Sequence, residues 1–326
     1  MTRRGPRWVS EAVAWVGALV LIAGVAIVAT GVIGEAPPKV VAVQTPVIQP
    51  AQVSPVKAPV KPAKPPPVRT NARGGVPVEP SLGPPPGPQH DPVPKAFAPP
   101  DKRFAFLVGV TDYRSPTKDT IAGANDVRFI RSMLLAAGWL PQNIKMVTNK
   151  AATGTATRSG LAWLVARSKP GTFTLFHFSG HVKQVGGREK LWPYDRDFVT
   201  DLELARLIKK GTGKTWVDIA GCEGGGFIED LPSSRVLVSA SSKVTQKSYE
   251  YPPWGESVWT GLVWDMALGQ GQADANRDGR TVVGEALRYA TYYAQAITLY
   301  QRPYGRQTPQ VFGDPVRGWT LDNPPA

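Results

Sequence analysis

The chain has 326 residues, 42% of them hydrophobic, which suits one globular domain with appendages. Its net charge of +13 favours anionic partners such as a membrane surface, acidic polymers or acidic proteins. Zinc-finger spacing, an aromatic RNA-binding motif and a long basic helix are missing, so no nucleic acid partner is expected, and the single cysteine excludes an intramolecular disulfide.

Residues 1–35 read as a membrane anchor. Ala12–Gly34 carries no charge and spans roughly 34 Å as a helix, enough for a bilayer core. Arg3, Arg4 and Arg7 precede it, so the positive-inside bias places the N-terminus in the cytoplasm and the rest of the chain outside it. A cleaved signal peptide would have a shorter apolar region and an Ala-x-Ala-like site, and no such site follows. Residues 36–102 hold most of the prolines, in runs such as Pro65-Pro66-Pro67 and Pro84-Pro85-Pro86. Such a tract favours extended polyproline II and lacks the side chains of a core, so it reads as a disordered spacer.

Residues 103–326 read as one domain of alternating strands and helices. Phe104–Val110 predicts a strand and Asp126–Ala137 a helix ended by Gly138. Ile144–Thr148 predicts the next strand and Thr157–Ser168 the next helix. Thr172–Gln184 is an apolar strand that ends at Ser179-Gly180-His181. A short extended piece near Leu191, a helix around Asp201–Lys210, the strand that opens Lys214–Phe227 and another at Arg235–Ser241 follow. Two more helices are expected near Glu256–Leu268 and Thr281–Leu299. The alternation argues for an α/β fold, a mostly parallel sheet with helices on both faces.

Two strand ends carry the chemistry. Lys214–Phe227, KTWVDIAGCEGGGF, breaks at Cys222 into Gly224, Gly225 and Gly226, which presents the thiol at a turn. His181 lies just past the other strand, whereas His90 falls in the proline tract and His177 inside the strand itself. Parallel neighbouring strands would bring both ends to one sheet edge, where open α/β folds place their sites. A thiol beside an imidazole is an arrangement for acyl transfer, and a small buried side chain at a strand end is the competing reading of the cysteine.

Strand-SGH followed about forty residues on by strand-Cys-x-x-Gly-Gly resembles the caspase-like cysteine peptidases, above all their bacterial and metacaspase branches. FAFLVGVTDY (104–113), Gly123–Asp126, LWPYD (191–195), RVLVSAS (235–241), GESVWTGLVWDMAL (255–268) and QTPQVFG (307–313) extend the resemblance over roughly Arg103–Gly313. It implies a three-layer sandwich around a six-stranded sheet whose last strand is Pro309–Phe312. It also implies Cys222 as nucleophile, His181 as general acid/base, and an oxyanion site made by the N–H groups of Cys222 and Val182. The family has glycine after the histidine, and a β-branched valine avoids positive φ. Metacaspases hold a basic substrate residue with acidic groups, one of which matches Asp126. Asn125-Asp126 reads equally as a capped helix N-terminus. The second acid falls at Ala220, and Asp218, on the same strand face, is its candidate replacement.

Asp274–Glu285 fits an EF-hand loop, with Asp274, Asn276, Asp278, the Arg280 carbonyl and Glu285 as ligands. A polar turn opening a helix is the alternative. Cys-His hydrolysis requires no cofactor, and calcium (Ca2+) is the one candidate ion. The expected partners are a protein or peptide substrate and the membrane, reached through the N-terminal helix. The chain is therefore expected to be a membrane-anchored cysteine endopeptidase cleaving after basic residues, with an inactive caspase-like interaction module as the alternative.

Overall fold

The computed structural model describes residues 98–231, 234–300, 305–313 and 316–322. The anchor segment, and the linker up to residue 97, lie outside these residues. Among the described residues no helix is long and apolar enough to cross a membrane.

Six strands form the central sheet: β1 (Arg103–Gly109), β2 (Ile144–Thr148), β3 (Phe173–Ser179), and three later ones. Between the first three run α1 (Gly123–Ala136) and α2 (Gly154–Arg167). After β3 come a small antiparallel sheet of β4 (Val182–Gln184), β5 (Glu189–Leu191) and β6 (Val199–Thr200), then α3 (Asp201–Ile208). β7 (Lys214–Ala220), α4 (Phe227–Asp230) and β8 (Val236–Ala240) follow. Beyond them lie the hairpin β9 (Glu250–Tyr251) and β10 (Glu256–Ser257), α5 (Val258–Thr260), a π-helix over Gly261–Gly269, α6 (Val283–Tyr300) and β11 (Gln310–Phe312). The sheet order is β11-β8-β7-β3-β1-β2, parallel throughout except for β11, which pairs antiparallel with β8.

Strand periodicity divides the core into two layers. Ala105 and Leu107 of β1 face α1 and α6, where Val127, Ile130, Leu134, Ala286 and Ala290 pack. Phe106 and Val108 face α2 and α3, against Leu161, Leu164, Leu204 and Ile208. Every residue of β3 is buried, because helices cover both faces of the sheet's centre. Burying a side chain the size of Phe176 contributes about 1.5–3 kcal/mol, so this strand is a firmly anchored support for a site. From β1 the chain runs first to β2 on one side and then to β3 on the other. The loops after β1 and β3 therefore diverge, and a cleft opens at that switch point.

Two element readings need correction. α1 begins at Gly123 rather than Asp126, and Asn125 does not cap it. The Glu250 carboxylate accepts the Ile121 and Ala122 N–H groups ahead of the helix, while Asn125 Nδ2 donates to the Ile121 and Gly255 carbonyls. The stretch read as one helix near Glu256–Leu268 is instead β10, α5 and the π-helix. Asp126 Oδ1 accepts the Ser257 N–H and holds that residue extended, so the helix starts after it, with Ser257 Oγ accepting the Thr260 N–H.

Candidate active site

The site grows from the pairing of β3 with β7. Ser179 lies opposite Ala220 in the parallel register, and the Gly180 N–H donates to the Ala220 carbonyl at 3.2 Å. Continuing the register places His181 beside Cys222. The approach is close. A Cβ on Gly221 would sit 2.6 Å from Val182 Cγ2 and 2.8 Å from the Gly180 oxygen, and Gly180 has φ +154°, open to glycine and strained for other residues. A Cβ at Gly180 would also come within 2.4 Å of Tyr113 Oη.

That hydroxyl fixes the histidine. Tyr113 Oη accepts the His181 N–H at 2.7 Å, and the two rings lie 4.7 Å apart. Trp192 packs edge-on to the imidazole at 6.1 Å, and its main-chain N–H donates to the His181 carbonyl. His181 Nε2 lies 2.7 Å from the Lys118 carbonyl oxygen. A carbonyl only accepts, so Nε2 carries a hydrogen, and Nδ1 of the neutral ring is left as the proton acceptor. The third, orienting partner is therefore a main-chain oxygen of the loop after β1. Side-chain patterning carries no signal for such a group, which is why the sequence shows none.

Cys222 is partly buried. The Ser248 N–H donates to its Sγ at 3.4 Å, and the Ser248 oxygen lies 3.7 Å away. In this arrangement the thiol bonds Ser248 and the imidazole bonds Lys118, with no hydrogen bond between the two. Burial pushes the thiol pKa up, the Ser248 N–H offsets part of that, and the Glu223 and Glu250 charges add to it. Glu223, next in the chain, adopts a left-handed φ of 57°, and its N–H donates to the Gln246 carbonyl. Its carboxylate accepts the Gln184 N–H at 2.5 Å and so ties the cysteine turn to β4.

The β4–β5 ladder decides where the Val182 N–H points. Trp192 N donates to His181 O, and Val185 N donates to Arg188 O. Val182 and Gln184 fall at the alternate positions between those bonded pairs, so their N–H groups face away from β5. Gln184 N–H meets Glu223 on that side, and Val182 N–H faces the same way. Val182 is outside the left-handed region, so its β-branch brings no strain; the positive φ values fall at Gly180 and Glu223 instead. The flanking amides of Gly221 and Glu223 are bonded to Ser241 Oγ and the Gln246 oxygen. Among the described residues the Cys222 N–H has no such partner.

The three residues assigned to a substrate pocket are all buried in this structure. Asp126 is fully buried, with Ser179 Oγ donating to Oδ2 at 2.6 Å and Ser257 N–H to Oδ1 at 3.0 Å. Burial raises its pKa and these hydrogen bonds oppose the rise. It ties α1 to the ends of β3 and β10. Ala220 is 4% exposed and packs in the α1/α6 layer. Asp218 shares that face, as strand parity requires, and is sealed beneath the π-helix. Its carboxylate lies 2.8 Å from His177 Nδ1 and accepts from Ser239 Oγ at 2.6 Å, Trp259 Nε1 at 2.8 Å and Trp264 Nε1 at 3.0 Å. Burial works to raise its pKa, but the His177 hydrogen bond and charge, with Ser239 and Trp259, hold it below the usual range.

The Asp274–Glu285 loop is satisfied by its own backbone. Asp274 accepts the N–H groups of Asp278 and Gly279, Asn276 Oδ1 accepts that of Asp278, and Asp278 accepts that of Arg280. Glu285 is 2% exposed and accepts from Val282 N and Ala275 N. The Val282 bond is one half of a capping box on α6. Among the described residues no three His, Cys, Asp or Glu side chains converge to hold a metal ion. These bonds hold the loop as a polar turn that opens α6.

The site thus lies at the ends of neighbouring parallel strands, in a sheet flanked by helices. The caspase domain family model matches residues 102–294, and the chain belongs to that family. No curated protein matches it. Among solved structures it is similar to the crystal structure of a Geobacter sulfurreducens protein, at 15% identity and a TM-score of 0.51, over 68% of this chain and 98% of that one. That likeness concerns the fold alone. Family membership supports a cysteine-peptidase type of hydrolase, with proteins as the substrate class.

Proposed function

We propose that this caspase-domain protein is an endopeptidase with Cys222 as nucleophile and His181 as general acid/base. The thiol gives its proton to His181 Nδ1 as sulfur bonds to the scissile carbonyl carbon. The carbonyl oxygen takes the negative charge and is held by the N–H groups of Cys222 and Val182. Collapse breaks the C–N bond, and Nδ1 returns the proton to the leaving amine. Water then hydrolyses the thioester. The observation that supports this reading is the β3–β7 register, in which Ser179 pairs with Ala220 two residues before His181 and Cys222, while the Lys118 oxygen meets His181 Nε2. Asp126, Ala220 and Asp218, the residues expected to favour cleavage after basic residues, are buried.

The raised thiol pKa has a consequence for labelling. The resting thiol is protonated at neutral pH, and its alkylation by a small neutral reagent is expected to rise with pH beyond the range of an exposed cysteine. A peptidyl chloromethyl ketone, which seats the thiol against the imidazole, is expected to label Cys222 near neutral pH. Mass spectrometry of the labelled peptide checks both. A folded chain that takes neither label and cleaves no peptide would leave the inactive interaction module as the function.

The same proposal includes anchoring by Ala12–Gly34, carried by the charge-free run and its arginine flank. Protease added to intact spheroplasts is expected to release the domain from the membrane fraction. Resistance until lysis would overturn that orientation.

A further inference from the structure

Resting on that peptidase reading, we propose that the cleft on the His181 side of the dyad receives the leaving segment of the substrate and selects an acidic side chain there. The cleft, about 390 Å³, is lined by Pro116, Thr117, Lys118, His181, Val182, Lys183, Trp192 and Arg196. It opens between the loops after β1 and β3, and Cys222 is not part of its wall. Chemistry sets which end of the substrate it takes. The acyl half stays with the sulfur, whereas the leaving nitrogen must reach the imidazole that protonates it. A cleft walled by that imidazole therefore continues from the leaving nitrogen, along the residues that follow the scissile bond.

Its charge is of one sign. Lys118, Lys183 and Arg196 line it, and no aspartate or glutamate does. The acids nearest in sequence are engaged elsewhere. Asp119 accepts the Tyr113 N–H, Asp195 accepts from Gly154 N and Asp197 N, and Asp197 pairs with Arg158 at 2.6 Å. Arg196 donates to the Ser115 carbonyl at 3.4 Å, and no salt bridge of Arg196 is present among the described residues. Low-dielectric walls such as Trp192 and Val182 focus that field on whatever enters.

The test uses internally quenched peptides that differ only in the two residues after the scissile bond, as Asp, Asn or Lys, with the full chain as enzyme. An Asp peptide is expected to exceed its Lys counterpart in kcat/KM by about tenfold at low salt, with the ratio shrinking as salt rises. Lys183→Glu with Arg196→Glu should invert the ratio, and the milder Lys183→Gln with Arg196→Gln should abolish it; circular dichroism establishes that each variant is folded. Cleavage that is indifferent to these positions, or faster with Lys, overturns the proposal while leaving the peptidase reading intact. Fluorescence anisotropy separates the opposite failure. If no peptide is cut, but Asp peptides bind the full chain and the Glu variants lose that binding, the cleft assignment stands and the peptidase reading falls. If nothing is cut and Asp and Lys peptides bind alike, both fall.

Discussion

Cys222→Ala is expected to abolish peptide hydrolysis, and His181→Ala to lower kcat by on the order of 10⁴ or more, equivalent to roughly 5.5 kcal/mol of transition-state stabilisation. The two act as one unit, so the double variant should be hardly worse than either alone. The structure gives the reason. His181 is held by groups that none of these substitutions disturbs: the Lys118 oxygen on Nε2 and Tyr113 Oη on the backbone N–H. Removing the thiol leaves an oriented base without a nucleophile. Removing the imidazole leaves a thiol that burial keeps protonated, with nothing beside it to take the proton. Steady-state kinetics on the quenched peptides, with thermal unfolding as a control for folding, would measure this. Residual turnover in Cys222→Ala within tenfold of the parent would sink the assignment, because no other thiol exists in the chain.

Asp218→Asn is expected to be the most damaging substitution to stability outside the aliphatic core. An amide can accept on one oxygen only, whereas the Asp218 carboxylate accepts on both. One of the donors, Trp264 Nε1, Trp259 Nε1 or Ser239 Oγ, would then face an NH2 group in a fully buried site. Breaking such a network costs about 3–5 kcal/mol, or on the order of 10 °C in Tm for a domain of this size. The pH dependence follows from the lowered folded-state pKa of Asp218. A carboxylate whose pKa falls on folding adds stability above its unfolded value, near 3.9, and loses it as pH drops through the folded value. The gap in Tm between parent and Asp218→Asn should therefore be full at pH 7 and close in strong acid. Calorimetry at both ends of that range decides it, and equal melting temperatures at pH 7 would mean that the network contributes nothing.

The same carboxylate shows where one-dimensional reading stopped. Parity placed Asp218 on the face of Ala220, and the structure agrees. What covers that face was not legible. The i→i+5 winding over Gly261–Gly269 turns Trp264 toward the strand that Trp259 already meets, and both indoles close over the acid. Apolar periodicity marks such a stretch only as a helix. The burial of Asp126 was illegible for a related reason. An acid at a helix start looks alike whether it faces solvent or a serine two strands away.

By itself the sequence determined the alternating α/β domain, the strand ends that carry His181 and Cys222, and the family that those motifs resemble. These features are local, written in periodicity, glycine breaks and spacing. Only the tertiary structure decided the sheet order, the Lys118 carbonyl as the imidazole's partner, the direction of the Val182 N–H, and the burial of Asp126 and Asp218. Each of those depends on main-chain groups, or on contacts between residues far apart in sequence. A main-chain carbonyl is the same atom in every residue, and the chain's own path alone selects the one that meets the histidine.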